Sequence, residues 1–378
     1  MAHAPARFRH LHPTIIMSAQ IPSTMQAIVV EGKGQASIKE VPTPKPTDGQ
    51  VLVKIHDVAV NPTDWKHLDF FGKANTILGS DFAGTIVAKA PDANTSLEIG
   101  TRVFSMTHGG FYEGVGAYAQ YLAVHPNGLC PLPKELSDET AAGLGIGTYT
   151  AIFGLFQKEH LALPKLDPNT KTLPPVDESK KILVWSGASN VGQYVIQLAR
   201  ALGMYVIATA SPRNHEWLKS LGASATYNYS DNGVAELIGK EHPGICYAFD
   251  AYSENNSATQ CLTAMDHSKP GRYLSVLNPG PEEHKANPNV QMSFVLLYTL
   301  DGRELDLFGL KRSKEQCMQD VRYFGELNAE EYVPKLIMNG ILKPAPLHLL
   351  KGGLSAVHEG LDLVRTGKNS GKKVVIPL

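Results

Sequence analysis

The sequence has few cysteines, and none of them is spaced to form a metal site or a disulfide framework. The four cysteines are Cys130, Cys246, Cys261 and Cys317, and no two of them form a CxxC pair. This spacing disfavours both a structural zinc lobe and a disulfide-stapled fold. Reduced thiols are typical of an intracellular compartment, and we expect a cytoplasmic location.

Long apolar runs and an excess of one charge are also missing. No run approaches the ~20 apolar residues that span a bilayer, and the net charge of the 378 residues is −1. We therefore expect neither a membrane nor a nucleic acid as a partner. A chain with 43% hydrophobic and 19% charged residues has the composition of a globular enzyme. Because single cores stop growing near ~250–300 residues, the length indicates two domains.

Acidic side chains are absent from the N-terminus, where the first acid is Glu31. Basic residues without acids are typical of a transit peptide, but Pro5, Pro13 and Pro22 would interrupt the amphipathic helix that such a peptide needs. We expect residues 1–24 to be a disordered extension. The functional start could then be a later methionine, Met17 or Met25.

Two separate parts of the chain, 25–155 and 311–378, are predicted to form one β-rich domain. Strand-like runs such as 27–30, 51–55 and 84–88 alternate with Gly, Pro and Asp turns. A glycine-rich helical run at 140–156, an amphipathic helix within 314–342 and a final strand at 374–376 complete this domain.

Residues 156–310 are predicted to form a nucleotide-binding domain inserted into the first. A proline-rich loop at 162–178 precedes its first strand. The runs 245–250 and 271–277 indicate its fourth and fifth parallel strands, and 305–308 indicates the sixth. The fold class is α/β, with a doubly wound parallel sheet of the Rossmann type and a cleft for cofactor and substrate between the domains.

Phosphate-binding chemistry is indicated where strand 182–185 ends in a small-residue turn. Gly187, Ser189 and Gly192 occupy the three glycine positions of the dinucleotide fingerprint G-x-G-x-x-G. The first position serves the tight turn and the last allows close packing of helix against strand, while the serine adds a hydroxyl donor. This turn would hold a pyrophosphate at a helix N-terminus.

The choice between NADH and NADPH is indicated at the end of the next strand, about 20 residues on. Enzymes specific for NAD usually have an acid there, but this chain has Ser211-Pro212-Arg213-Asn214, with no acid before Glu216. A hydroxyl and a guanidinium would bind a 2′-phosphate that a carboxylate would repel. We therefore expect NADPH, the alternative being that Arg213 is only a solvated charge.

The chain resembles the medium-chain dehydrogenase/reductase superfamily from Met25 to Leu378. The resemblance rests on seven motifs in their family order: Asn61-Pro62-Thr63-Asp64, Gly79-Ser80-Asp81-Phe82-Ala83-Gly84, Gly116-Ala117-Tyr118-Ala119-Gln120-Tyr121, Thr150-Ala151, the turn 187–192, Asn228-Tyr229 and Ser370-Gly371-Lys372-Lys373-Val374. It implies that the β-rich domain is GroES-like. Zinc alcohol dehydrogenases place a Cys and a His-Glu pair where this chain has Asn61 and Ser80-Asp81, so only Asp81 remains as a potential ligand and no metal is expected.

Zinc-free members of the superfamily reduce activated carbon–carbon double bonds or quinones. The motif at 61–66, the proline-rich insert and the segment 210–214 resemble fungal trans-acting enoyl reductases, the stand-alone partners of polyketide synthases without a working reductase domain. The resemblance implies NADPH-dependent hydride delivery to the β-carbon of an enoyl thioester or ketone, followed by protonation at the α-carbon. The substrate would be a small molecule or carrier-bound, and the protein a monomer or homodimer.

The resemblance also implies roles for individual residues. Lys66 would act on the developing enolate or order the proton source, unless it is merely a surface lysine, and Thr150 would lie beside the nicotinamide. The implied cofactor-binding residues are Thr63, Asp64, Trp65, Lys66, Gly187, Ala188, Ser189, Asn190, Val191, Gly192, Ser211, Pro212, Arg213, Asn214, Tyr229, Leu277, Ser370 and Gly371. Tyr149 and Phe308 would contact the substrate.

The proton donor and the exact reaction stay open at this point. Related mitochondrial-type reductases use a tyrosine soon after the 61–64 motif, but the chain has no tyrosine there, which leaves Tyr118, Tyr149 or solvent. Two other functions are a free-standing quinone or enone reductase and a catalytically idle cofactor-binding protein. Retention of Thr63, Asp64 and the 2′-phosphate residues argues against the idle protein.

Overall fold

The protein is described here by a computed structural model that covers residues 16–17, 21–280, 282–307 and 310–378. Most of the predicted N-terminal extension, 1–24, lies outside these residues. Within it, Ile16–Met17 forms a two-residue strand, β1, antiparallel to residues 88–89.

The N-terminal part of the chain is built from short antiparallel strands. They are β1, β2 (Thr24–Gly32), β3 (Gln35–Pro42), β4 (Val51–Ala59), β5 (Asp81–Lys89), β6 (Arg102–Met106), β7 (Tyr121–Val124) and β8 (Cys130–Pro131). β2 and β3 form a separate hairpin, while β4 pairs with β5 and β7 in the larger sheet. β4 is buried on both faces over much of its length, which suits its central position.

Three helices accompany these strands: α1 (Pro62–Lys66), α2 (Asp138–Ala142) and α3 (Gly145–Phe156). α1 follows β4 directly and continues as one π-helical turn over His67–Phe71. The helix predicted at 140–156 is therefore two helices. α2 starts at the Ser137 N-cap, whose side chain accepts a hydrogen bond from the Thr140 amide. At Gly145 an added Cβ would meet Asp81 Oδ1 at 2.3 Å, so α3 begins in close contact with the first residue of β5.

The central part of the chain forms a six-stranded, entirely parallel sheet. Its elements are β9 (Asp177–Trp185), α4 (Asn190–Ala201), β10 (Met204–Thr209), α5 (His215–Ser220), β11 (Ala225–Tyr227), α6 (Val234–Glu241), β12 (Tyr247–Asp250), α7 (Ser257–Ala264), β13 (Gly271–Ser275) and β14 (Val290–Phe294). The strand order is β11-β10-β9-β12-β13-β14, the Rossmann order. Along β9, Ile182 and Val184 pack with α4 while Leu183 packs with α6 and α7, so both faces are covered. The predicted doubly wound sheet is confirmed.

The prediction for the sixth strand was wrong. Val290–Phe294 pairs parallel with β13 and completes the sheet. Leu305–Leu307 instead forms β15, which pairs antiparallel with β16 (Leu310–Arg312) in a separate hairpin. Residues 290–294 alternate apolar and polar side chains, as is typical of an edge strand with one face toward solvent. Residues 305–308 contain more apolar side chains, and the sequence therefore favoured them as the sixth strand.

The C-terminal part returns to the first sheet. Its remaining elements are α8 (Lys314–Ala329), α9 (Tyr332–Met338), β17 (Leu347–Leu349), α10 (Val357–Arg365) and β18 (Lys373–Pro377). β18 pairs antiparallel with β4, so strands from both ends of the chain share one sheet. The predicted helix within 314–342 is divided into α8 and α9, because Glu331 adopts a left-handed conformation with φ 52°. No described helix combines the length and apolar character needed to cross a bilayer.

Candidate active site between the two domains

The glycine turn between β9 and α4 has the geometry that a pyrophosphate needs. Ser189 caps α4, its hydroxyl oxygen accepting from the Gly192 amide at 3.0 Å. An added Cβ at Gly187 would meet Ile196 at 3.0 Å, and one at Gly192 would meet the Ser186 carbonyl oxygen at 2.5 Å. The turn is therefore as tight as the fingerprint predicts.

Asn190, the first residue of α4, carries unused hydrogen-bonding capacity at this turn. Its side-chain amide nitrogen and oxygen are both buried, and neither has a hydrogen-bond partner among the described residues. An unpartnered buried amide beside a helix N-terminus fits a phosphate-bearing ligand, which would supply the missing acceptor. Val191 follows it and packs against the core.

The residues expected to hold a 2′-phosphate lie together beyond β10. Pro212 begins a short 3-10 turn over Pro212–Asn214, which presents Arg213 to solvent. The Ser211 hydroxyl lies 3.5 Å from the Tyr229 hydroxyl, and half of Tyr229 is exposed. Among the described residues, Arg213 forms no salt bridge, so its guanidinium is available for an anion.

The C-terminal motif closes onto the glycine turn. Gln193 Nε2 donates to the Gly371 carbonyl oxygen at 2.9 Å and to the Ala188 carbonyl oxygen at 3.0 Å. Gly371 has φ 71° and Ser370 φ 29°, so this turn requires the left-handed region. Leu277, another residue expected to bind the cofactor, is held by the Ser275 hydroxyl, which donates to its carbonyl oxygen at 2.7 Å.

Asp64 is an internal anchor and does not face the cleft. It is 1% exposed. Its Oδ1 accepts from the Ser80 hydroxyl at 2.7 Å, and its Oδ2 accepts from the Tyr118 hydroxyl and the Asn61 amide at 2.8 Å each. Burial raises the pKa of Asp64 to about 6, against these three hydrogen bonds, which favour the carboxylate. This geometry contradicts the expected contact of Asp64 with the cofactor, because both carboxylate oxygens already accept hydrogen bonds from protein donors. Asp64 instead positions α1.

Lys66 lies at the edge of the cleft and forms a salt bridge to Glu254, in the loop that follows β12. The lysine side chain is 20% exposed and the glutamate 39%, and the lysine amine lies 5.5 Å from the Trp65 ring centroid. Arg365 lies over the same indole at 5.7 Å. The indole nitrogen of Trp65 is buried, and no residue in the described part of the chain accepts its hydrogen. The bridge joins the two domains across the site.

A buried ionic cluster occupies the position at which the zinc enzymes carry metal ligands. Lys373 Nζ donates to Asp81 Oδ2 at 3.0 Å and to Asn61 Oδ1 at 2.5 Å, and Asn61 Nδ2 donates to Asp81 Oδ2 at 2.8 Å. The Ile146 amide donates to Asp81 Oδ1 at 2.8 Å. All three side chains are at most 3% exposed. These residues do not fit a zinc ion, because they supply no thiolate or imidazole and the one carboxylate is committed to a lysine.

Four further residues were expected to lie at the substrate or the nicotinamide, or to donate the proton. Tyr149 is 1% exposed and its hydroxyl bonds to Asn328, so a direct substrate contact is contradicted by burial. Tyr118 is buried and bonds to Asp64. Thr150 lies on α3 and is 6% exposed. Phe308 lies outside the described residues.

Sequence reasoning missed three residues that meet the 61–66 motif in space. His67 and His108 are in contact through their Nε2 atoms at 3.1 Å, and the Tyr298 hydroxyl bonds to the Thr63 hydroxyl. Tyr298 belongs to a 3-10 helix at Leu297–Asp301. The one signal available was the placement of His67 directly after the motif, since the other two are distant in sequence.

Two family models match the chain. Residues 47–134 match the alcohol dehydrogenase GroES-like domain, and residues 190–318 match the family described as zinc-binding dehydrogenase. Together they cover strands β4 to β8 and most of the nucleotide-binding sheet.

Similar proteins match over nearly the full length. The trans-enoyl reductase thnE of Trichoderma harzianum is 35% identical, with 94% of this chain and 97% of that protein covered. The trans-enoyl reductase caaB of Aspergillus niger is 35% identical with the same coverage. An alcohol dehydrogenase superfamily protein from Novosphingobium aromaticivorans has a solved structure with TM-score 0.74 and 25% identity, and the alignment covers 94% of this chain and 100% of that one. The chain therefore belongs to the medium-chain dehydrogenase/reductase superfamily of oxidoreductases, in the branch that contains the fungal trans-enoyl reductases.

Proposed function

We propose that the protein is an NADPH-dependent enoyl reductase that acts in trans on the carrier-bound product of a polyketide synthase. The observation that best supports this class of reaction is that the Asp81 carboxylate is fully hydrogen-bonded to protein groups. It is the one potential metal ligand that the sequence retains, and its oxygens are taken by Lys373, Asn61 and the Ile146 amide. A site without zinc ligands suits an alkene activated by its own carbonyl better than an alcohol that needs a Lewis acid.

NADPH, when bound, supplies the hydride, and the chain supplies orientation and charge. The glycine turn and the free amide of Asn190 would hold the pyrophosphate, and Ser370-Gly371 would cover it, because the Gly371 carbonyl already bonds to Gln193 beside the turn. Lys66 would face the enolate oxygen that develops on the substrate. Its ammonium is held at the cleft by Glu254, and a positive charge at that oxygen stabilises the transition state.

The preference for NADPH over NADH rests on Arg213, Ser211 and Tyr229. Replacing Arg213 by Glu puts a carboxylate where the 2′-phosphate would bind, and charge-assisted hydrogen bonds are worth ~1.5–3 kcal/mol. We expect Arg213→Glu to lower kcat/KM with NADPH about 10- to 100-fold while NADH is little affected. Lys219→Glu applies the same charge change to exposed α5, where Lys219 pairs with Glu216, and serves as the control. An unchanged cofactor preference in Arg213→Glu would remove that residue from the site.

The catalytic role of Lys66 is separable from cofactor binding. We expect Lys66→Ala to lower kcat roughly tenfold or more, since loss of one stabilising group at an oxyanion costs at least that much. The Kd for NADPH, measured by fluorescence titration, should change by less than about threefold, and Lys66→Arg should retain part of the rate because it retains the charge. An unaltered kcat in Lys66→Ala would contradict the proposed role of Lys66 in stabilising the enolate oxygen.

Substrate class decides between this proposal and a free-standing quinone reductase. We expect NADPH consumption with crotonyl and longer enoyl thioesters, and faster consumption when the acyl chain is attached to a carrier protein. Consumption with quinones alone would refute the enoyl reductase. We further propose that the enzyme works in the cytoplasm beside a synthase whose own reductase domain is degenerate, and that the domain boundaries are those expected from the sequence.

A further inference from the structure

Five side chains form a continuous hydrogen-bonded chain that links solvent to the candidate site; we name them the histidine chain. Its members are Asp301, His108, His67, Thr63 and Tyr298. Asp301 Oδ2 lies 3.2 Å from His108 Nδ1, the two histidine Nε2 atoms are 3.1 Å apart, and His67 Nδ1 lies 3.1 Å from Thr63 Oγ1. Thr63 then bonds to the Tyr298 hydroxyl. The Asp301 side chain is 20% exposed, whereas both histidines are buried.

The hydrogen-bond acceptors along the histidine chain indicate which ring nitrogens of His67 and His108 carry hydrogens. His67 Nδ1 lies 2.8 Å from the Thr63 carbonyl oxygen, which can only accept, so Nδ1 carries a hydrogen. Burial, and then His108, lower the pKa of His67 to about 4, so His67 is neutral and its Nε2 is an acceptor. The hydrogen between the two rings therefore belongs to His108 Nε2.

His108 must then carry two hydrogens. Its Nδ1 faces the Asp301 carboxylate, which accepts, while its Nε2 donates to His67. The ring is stacked between Phe111, with centroids 4.9 Å apart, and Tyr298, 3.7 Å apart, which fixes its orientation toward both partners. The chain thus stores one proton beside a carboxylate.

Tyr298 is the end of the histidine chain at the cleft. It is half-buried and bonds to Thr63, a residue of the 61–66 motif that is expected to bind the cofactor. Burial raises the pKa of its hydroxyl, so Tyr298 remains protonated at neutral pH. Tyr118 and Tyr149 cannot take this role, because their hydroxyls bond to Asp64 and Asn328 inside the protein.

We propose that Tyr298 is the acid that protonates the α-carbon of the reduced substrate, and that the histidine chain restores its proton. This inference rests on the proposed enoyl reduction. The enolate takes the Tyr298 proton, and Tyr298 regains one from the Thr63 hydroxyl. Thr63 regains its proton from His67 Nδ1, and His67 receives one at Nε2 from His108 Nε2. The imidazolium becomes a neutral imidazole whose Nδ1 hydrogen stays toward the Asp301 carboxylate, and His67 is left with its hydrogen on Nε2. After the product leaves, one proton from solvent in the cleft returns along the same bonds in reverse, which restores the His67 Nδ1 hydrogen and the second hydrogen of His108.

The decisive readout is the stereochemistry of the product. With an α-methyl enoyl thioester, protonation from one fixed acid gives one epimer at the α-carbon, whereas protonation by water gives both. We expect the wild-type protein to give one epimer. Tyr298→Phe should turn over roughly 100-fold more slowly, the scale of general acid catalysis, and give an epimer mixture. His108→Gln should be slower by about tenfold and keep the single epimer, because Tyr298 still donates.

Tyr112→Phe is the matched control, since Tyr112 lies edge-on to His108 at 5.6 Å but its hydroxyl is not a member of the histidine chain. It should keep the wild-type rate within twofold and the single epimer. Nitrogen-15 spectra of the cofactor-free protein give a second, independent readout. We expect a doubly protonated His108, assigned by its loss in His108→Gln, and a neutral His67.

The possible failures are distinguishable. A wild-type protein that leaves enoyl thioesters untouched would overturn the proposed function together with this inference. A working wild-type enzyme with an unaltered rate and a single epimer in Tyr298→Phe would overturn the role of Tyr298 alone. A singly protonated His108 in the spectra would overturn the proton store.

Discussion

Two lysine–carboxylate pairs flank helix α1, and they differ in burial more than in chemistry. Lys373 and Asp81 are 3% and 0% exposed, and every contact of the carboxylate is with protein donors. Lys66 and Glu254 are 20% and 39% exposed and cross from one domain to the other. A buried pair cannot be opened without leaving an uncompensated charge, whereas a half-exposed pair exchanges readily with water. The first pair therefore holds the architecture, and the second leaves its lysine available for chemistry.

The buried pair also shows what replaces the metal-binding residues of the zinc enzymes. Asp81 keeps a cationic neighbour, but the cation is the ammonium of Lys373, delivered by the C-terminal strand β18. That strand pairs with β4 immediately before the 61–66 motif. The positive charge thus fixes the C-terminal strand to the motif instead of polarising a substrate oxygen.

Removing the cation from the buried pair should give the largest effect. We expect Lys373→Met to lower the free energy of unfolding by about 3–5 kcal/mol, because Asp81 is left buried and unpaired. Urea denaturation checks this. The neighbouring Lys372 is exposed, and Lys372→Met should stay within about 0.5 kcal/mol of the wild type. Equal losses in the two variants would show that the buried pair does not hold the architecture.

Asp57 is a buried carboxylate that forms no salt bridge with any described residue, and its substitution should give an intermediate effect. It is 5% exposed, and its Oδ1 accepts no hydrogen bond from the residues that the structure describes. Burial, and then repulsion from Glu139 and Asp138, raise its pKa to about 6. Since this pKa lies above the unfolded value of ~3.9, the native state holds an extra proton between these values, and stability falls as pH rises from about 4 to 6.

Asp57→Asn removes that penalty. We expect a gain of about 1–2 kcal/mol at pH 8 that vanishes near pH 4, measured by urea unfolding at both values. A gain of the same size at both pH values would contradict the account, because it would not depend on ionisation.

Opening the half-exposed pair should give the smallest effect. We expect Glu254→Gln to change the free energy of unfolding by less than about 1 kcal/mol, and the change should shrink further in high salt, which screens exposed charges. Unfolding curves at low and high ionic strength provide the measurement. A loss as large as that of Lys373→Met would erase the distinction between the two pairs.

The sequence predicts the nucleotide sheet well because its strands are apolar runs that end at glycine turns. β9, β12 and β13 each begin and end within five residues of their predicted positions. β14 was missed because Val290–Phe294 alternates in polarity. The contacts of the site were harder to predict, since periodicity reports local faces and not distant partners. Lys66 meets Glu254, and Thr63 meets Tyr298, across 188 and 235 residues of chain.

The other differences between the predicted and the observed site concern which side chains are buried. The motif at 61–64 marks the correct helix, but the sequence alone does not tell which of its polar side chains face inward. Asp64 turns in to Ser80 and Tyr118, while Thr63 remains half-buried beside Tyr298. The sequence indicated Lys373 only as part of a motif and did not predict its burial, because lysine side chains are mostly exposed even next to an apolar strand.

The central claim is that this cleft transfers a hydride from NADPH to the β-carbon of an enoyl thioester. The most direct measurement supplies NADPH with deuterium at the transferred position and locates the label in the product by mass spectrometry and NMR. We predict one deuterium, at the β-carbon only, in the saturated thioester. Recovery of unreduced thioester while quinones are reduced by the same protein would contradict the account.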